Sequence, residues 1–200
     1  MSAPAESEGR PVTVVVAEDE SIIRLDLVET LRAEGYEVLG DVGAGDEAVA
    51  LVEELAPDVV LLDIKMPGVD GLAAARRITE GRRTAVVVLT AFSQRDLVEE
   101  AREAGAMAYL VKPYQRDDLV PAIELALARF REFRALEEQV DDLEQRFETR
   151  KLVDRAKGRL MDEHGLSEAD AFRFVQRTAM STRRPMREVA VDVIEGRLAP

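Results

Sequence analysis

Four consecutive apolar residues, Val59-Val60-Leu61-Leu62, run straight into a carboxylate at Asp63 and then into the loop Lys65-Met66-Pro67-Gly68. An unbroken apolar run this short reads as a strand buried on both faces, the pattern of a parallel sheet covered by helices above and below. Asp63 then lies at the carboxyl edge of that sheet, where open α/β folds place their chemistry. Three other apolar runs also stop at functional groups. Val12–Val16 leads into Glu18-Asp19-Glu20, Ala85–Leu89 into Thr90-Ala91, and Met107–Val111 into Lys112-Pro113. A shorter strand is expected at Val38-Leu39-Gly40.

Helical spacing separates these runs. Ile22, Ile23, Leu25, Val28 and Leu31 recur at helical intervals until Gly35, and Ala48, Val49, Leu51, Val52 and Leu55 do so between Gly45 and Pro57. A third helix opens at Gly71-Leu72 and runs to about Ile78, and Ser93 is placed to cap a fourth that ends near Ala104. Strand and helix alternating five times predict a doubly wound parallel sheet over residues 12–128, behind a short disordered tail at 1–11. A helix then starts after Asp117, with Pro121 near its first turn, and runs beyond the sheet. Along it Phe133, Leu136, Val140, Leu143 and Phe147 alternate intervals of three and four, a two-heptad seam over a linker at 129–149. Three amphipathic helices follow over 150–200. The first ends at His164-Gly165, the second starts at Ser167 and the third at Pro185.

Charge divides the chain at the same place. Residues 1–149 carry 16 Lys+Arg against 32 Asp+Glu, whereas residues 150–200 carry 11 against 8, so a slightly basic end follows a strongly acidic body. That asymmetry predicts two domains with different partners. The absence of cysteine excludes disulfides and thiolate metal sites. No apolar run reaches the ~18 residues that span a bilayer, and the polar start does not read as a secretory signal. The expectation is a cytoplasmic protein that does not engage membranes.

In a doubly wound sheet the ends of the first and third strands meet beside the reversal of strand order, which gathers Glu18, Asp19 and Asp63. Unit charges ~4 Å apart repel by roughly 1 kcal/mol in water and by several at a protein surface. Three clustered carboxylates therefore call for a hard divalent cation, and Mg²⁺ takes oxygen ligands while keeping waters. A hydroxyl at Thr90, a backbone N–H at Ala91 and the Lys112 ammonium converge on the same edge, as in-line phosphoryl transfer to Asp63 requires. Taken singly, Thr90 also fits a plain strand-end hydroxyl, Lys112 a solvated lysine and Tyr109 a core aromatic with its OH at the rim.

The acidic pair, the Leu-Leu-Asp63-Ile-Lys-Met-Pro-Gly loop, Thr90-Ala91, Tyr109 and Lys112-Pro113 together resemble the receiver domain of two-component response regulators, a flavodoxin-like fold. The resemblance implies that Asp63 accepts a phosphoryl group from a sensor histidine kinase. It further implies that Glu18, Asp19, Asp63 and the carbonyl of Lys65 hold Mg²⁺, that Thr90 and Lys112 bind phosphoryl oxygens, and that Tyr109 reorients on activation. The Lys112–Pro113 bond is cis in that family.

Ala156-Lys157-Gly158-Arg159-Leu160-Met161, Ser167–Phe172, Ala179-Met180-Ser181 and Val189-Ala190 resemble the ANTAR domain, an all-α three-helix output of transcription antitermination regulators that binds paired RNA stem-loops. Lys157 and Arg159 are then the first candidates for RNA contacts, followed by Arg177, Thr178, Met180 and Arg183, since RNA loops are read by hydrogen bonds and stacking. Met180 fits core packing equally well. Gly158 fits a close approach by RNA or another helix, and His164 a helix end. The chain is thus expected to be a regulator rather than an enzyme, pairing its heptad seam in a homodimer when phosphorylated. A DNA-binding transcription factor and a protein-interaction adaptor are the alternatives. The exposed charges expected on the last helix sum to −1, which disfavours a helix that reads a DNA groove.

Overall fold

A computed structural model describes residues 10–91 and 95–200, the side chains of 95 and 96 excepted. Ser93 and residues 1–9 of the expected tail lie outside the described residues. The chain forms two compact units, the first ending at Arg134 and the second comprising Ala135–Pro200.

Unit one alternates strand and helix. In chain order it contains β1 (Thr13–Ala17), α1 (Ser21–Ala33), β2 (Glu37–Val42), α2 (Gly45–Leu55), β3 (Val59–Asp63), α3 (Gly71–Glu80), β4 (Ala85–Thr90), α4 (Arg95–Glu103) and β5 (Ala108–Val111). The five strands are parallel in the order β2-β1-β3-β4-β5, so the order reverses between β1 and β3. The apolar runs are buried on both sides because alternate residues feed two cores. Val15, Ala17, Val60 and Leu62 pack with α2 and α3, while Val14, Val16, Leu61 and Leu89 pack with α1 and with α5 (Arg116–His164). At the amino edge, Asp58 accepts hydrogen bonds from the Thr13 amide (2.9 Å) and hydroxyl (2.8 Å), tying the loop before β3 to the start of β1.

Several strand ends extend past the sequence expectation by one or two residues. β2 reaches Val42, and β4 takes in Thr90 itself. Ladder pairing supplies the reason: edge residues without an apolar signature still gain backbone hydrogen bonds from the neighbouring strand.

In unit two the first expected helix is not a separate element. α5 continues without a break from Arg116 to His164, with Pro121 in its interior, and its last turns provide one wall of the small bundle. α6 (Glu168–Thr182) and α7 (Met186–Ile194) provide the others. Ser167 caps α6 by accepting from the Asp170 amide at 3.2 Å, and Pro185 stands at the N-cap of α7. Val153, Ala156, Leu160, Ala171, Val175, Ala179, Val189, Ala190 and Val193 form the bundle core. None of the helices is long and apolar enough to cross a membrane, among the described residues.

Candidate functional site: an acidic pocket at the sheet edge

Each residue of the pocket stands where a strand stops. Glu18 and Asp19 follow β1, Asp63 ends β3, Thr90 ends β4, and Lys112 follows β5. Parallel register brings them level. Ala17 pairs with Leu62, Asp63 with Leu89 and Thr90 with Val111. The backbone leaves Asp63 through a crossing that only glycine permits. A Cβ at Gly71 would lie 1.9 Å from the Asp63 carbonyl oxygen, and the Gly71 amide donates to the Ile64 carbonyl at 2.8 Å.

One oxygen from each of Glu18, Asp19 and Asp63 falls within 4.8 Å of the others. Glu18 is fully buried, Asp63 nearly so, and Asp19 is exposed. The Lys112 ammonium donates to Glu18 at 2.5 Å and pairs with Asp63 at 3.1 Å. Burial raises the Glu18 pKa; the Lys112 hydrogen bond opposes that rise, and the Asp63 charge adds to it. Burial alone would lower the Lys112 pKa, but its hydrogen bonds to Glu18 and Asp63 and the charges on both hold it above the ordinary lysine value. The donor set is all oxygen with one exposed carboxylate facing solvent, which suits a hard divalent cation. Thr90 is buried, and its carbonyl accepts from the Lys112 amide at 2.7 Å. Ala91 and Lys65 are exposed at the rim. A cavity of about 480 Å³ opens over Asp19, Asp63, Lys65, Thr90, Ala91 and Lys112.

Tyr109 lies on β5 with 49% of its surface exposed, so the core-aromatic alternative does not describe it. The Lys112–Pro113 peptide is cis. Sequence reasoning overlooked two neighbours of the pocket. Arg24 donates to the Glu18 carbonyl at 2.5 Å and to Asp41 at 3.0 Å, bracing the acidic loop from α1. Tyr114 buries its hydroxyl without a hydrogen-bond partner among the described residues, and burial first, then the Glu18, Asp63 and Asp26 charges, raises its pKa. Its position directly after Lys112-Pro113 was the available signal.

In unit two the candidate cations separate into two groups. Lys157 bonds Asp154 at 2.8 Å and Glu168 at 2.9 Å, and Arg159 pairs with Glu163 at 2.8 Å while donating to the Ile194 carbonyl. Both brace the bundle. Arg177 and Arg183 are exposed and have no ion pair among the described residues, and Arg183 adopts a left-handed conformation at the end of α6. Thr178 is half-buried, with its carbonyl accepting from the Ser181 and Thr182 hydroxyls. Met180 is 75% exposed, which excludes the core-packing alternative. A Cβ at Gly158 would meet nothing within 4 Å, so no neighbouring helix among the described residues accounts for that glycine.

Residues 14–124 match the family described as Response regulator receiver domain, and residues 141–194 match the ANTAR domain family. The chain is 58% identical over 185 residues to Transcriptional regulatory protein PdtaR of Mycobacterium tuberculosis, covering 92% of this chain and 90% of that protein. It is 37% identical over 111 residues to Chemotaxis protein CheY of Thermotoga maritima, covering 55% of this chain and 92% of the relative. Among solved structures, the receiver domain of a modulated diguanylate cyclase from Desulfovibrio desulfuricans superimposes with a TM-score of 0.57 at 30% identity, over 61% of this chain and 98% of that one. The CheX–CheY complex with BeF3 and Mg2+ from Borrelia burgdorferi gives 0.56 at 27% identity, over 57% of this chain and 88% of that one.

Proposed function

Because the chain belongs to the response regulators, a non-enzyme family of regulators, and joins a receiver domain to an ANTAR domain, we propose that Asp63 is its phosphoacceptor and that RNA is its output ligand. The carrying observation is the Lys112 ammonium, held between buried Glu18 and Asp63 at the sheet edge. A sensor histidine kinase supplies the phosphoryl group. An Asp63 carboxylate oxygen attacks phosphorus, the P–N bond to the kinase imidazole breaks, and the electron pair leaves with that nitrogen, which takes up a proton. Lys112, the Thr90 hydroxyl and the Ala91 amide receive the phosphoryl oxygens. Glu18, Asp19, Asp63 and the Lys65 carbonyl fit a Mg²⁺ ion, which when bound neutralises phosphoryl charge.

Phosphorylation adds a charge of about −2 at Asp63. Lys112 must then be shared between Glu18 and the phosphoryl group, and Thr90 and Tyr109 are the side chains placed to register the change. This biases a two-state element of β4, β5 and their helices. Residues 12–128 act as the receiver, 129–149 as the linker and 150–200 as the output, which binds RNA stem-loops and controls transcription antitermination in the cytoplasm.

The acidic body sets a limit on where RNA can bind. Unpaired cations such as Arg177 and Arg183 lie in the basic end, while α7 carries Asp192 already bound by Arg184 and Arg197. That arrangement supports hairpin or loop contacts over a groove-reading helix.

The test is a titration of the full chain against tandem stem-loop RNAs with randomised loops and against duplex DNA of matched length. It is run over a salt series with and without beryllofluoride and Mg²⁺. RNA-selective binding that tightens with the phosphoryl mimic, and loses that response in Asp63→Ala, supports the reading. Selective binding to duplex DNA in both states overturns it.

A further inference from the structure

One cavity in the second unit has the chemistry of a nucleobase slot; of the two cations chosen first from the sequence, Lys157 lines it and Arg159 does not. The cavity is an open depression of about 530 Å³. Val153, Phe172 and Met186 supply apolar surface, and Gln145, Thr149 and Arg150 stand around it.

The periodicity of α6 explains why an aromatic ring is available there. Ala171, Val175 and Ala179 point into the bundle core and Phe174 packs beside them, which leaves Phe172 outside the core and 39% exposed. Part of the polar lining is uncommitted. Among the described residues the Gln145 amide and the Thr149 hydroxyl have no hydrogen-bond partner, and Arg150 makes no hydrogen bond or close ion pair, although its charge helps to lower the pKa of Asp154, which also lines the cavity. Arg146, on the same helix face, is held only by an exposed i,i+4 pair with Asp142, an interaction worth little in water. Met186 begins α7, so the partial positive charge of that helix start lies beside the cavity.

We infer that this cavity takes one unstacked base of an RNA hairpin loop. The base lies against the Phe172 ring, Gln145 and Thr149 bond its edge, and Arg150 holds a flanking phosphate. An aromatic face, an amide and a hydroxyl are the means by which proteins read splayed RNA bases, and a guanidinium matches phosphate oxygens. Of the lining cations, Arg146 is paired with Asp142 and Lys157 with Asp154 and Glu168, which leaves Arg150 as the one without a close ion pair among the described residues. The inference rests on the RNA-binding reading above and assigns it a contact surface.

Its test uses the full chain with beryllofluoride and Mg²⁺ and one stem-loop RNA selected from the randomised pool. 2-Aminopurine is placed at each loop position in turn. One position should change its fluorescence on binding. Phe172→Leu should abolish that change and weaken binding about tenfold, and Phe172→Tyr should restore both. Arg150→Gln should lower the slope of log affinity against log salt by about one, without altering which position responds. If Phe172→Leu binds with unchanged affinity and an unchanged fluorescence response, the slot is overturned while RNA binding stands. If the wild-type chain retains no RNA from the pool, the slot and the RNA reading fall together.

Discussion

Lys112 and Tyr114 show how two residues one proline apart meet opposite fates at the same sheet edge. Lys112 finds two carboxylates, whereas the Tyr114 hydroxyl is buried with no partner among the described residues. An unsatisfied buried hydroxyl costs about 1–3 kcal/mol, so Tyr114→Phe should raise stability by roughly 1 kcal/mol in urea unfolding. A loss of stability would mean that the hydroxyl is satisfied in solution. The three carboxylates make a second residue-scale prediction. Mg²⁺ should raise the melting temperature of the wild-type chain, by about 2.7 kcal/mol of stabilisation at a hundredfold excess over its dissociation constant. Asp19→Asn should reduce that gain and, by removing one of three mutually repelling charges, raise the metal-free melt slightly. Chelation with EDTA should return the wild-type chain to its starting curve. Apart from Tyr114 and Arg24, the pocket was legible in the sequence, because every member stands at the end of an apolar run. Arg24 was not, because its partners are a backbone carbonyl and an aspartate on another element.

Between residues and the whole chain, the turn from β3 into α3 decides how Asp63 is presented. The 1.9 Å clearance at Gly71 involves backbone on both sides, so neither group can swing away. Gly71→Ala should cost at least about 3 kcal/mol in urea unfolding and reduce beryllofluoride binding at Asp63. An Ala variant with wild-type stability and response would show that the loop can open. α7 offers the corresponding element in unit two. Asp192 is bound by Arg184 at 2.8 Å and Arg197 at 2.7 Å, and those hydrogen bonds, Arg197 first, lower its pKa. A depressed carboxylate pKa contributes stability that is fully present above the ordinary value near 3.8 and is lost as pH falls through the lower folded value. In acid titration followed by circular dichroism, Asp192→Asn should therefore be less stable than wild type at pH 7 and should converge with it at the acid end. Parallel curves over the whole range would remove Asp192 from the acid transition. Helix starts and strand cores were readable at this scale. The unbroken run of α5 was less so, because a polar stretch with weak periodicity gains its helicity from the packed segments at either end.

Across the molecule, the heptad seam is the feature with most left to account for. Phe133, Leu136, Val140, Leu143 and Phe147 are 43–63% exposed, a row of apolar residues that water does not favour. Sedimentation velocity of the full chain should show a dimer with beryllofluoride and Mg²⁺, and Leu136→Glu with Leu143→Glu should return it to monomer. One unchanged monomer mass in both conditions would refute pairing through the seam. The sequence alone determined the parallel sheet and the acidic pocket, since each follows from local periodicity and from the identity of residues at strand ends. Tertiary structure alone decided which cations are committed. Lys157 and Arg159 looked like the best nucleic-acid contacts by type and spacing, yet one is bound to Glu168 on α6 and the other reaches the end of α7. Arg150, closer to the linker, makes no close ion pair among the described residues. A side chain's availability depends on the distance to partners remote in sequence, and one-dimensional spacing carries no record of that distance.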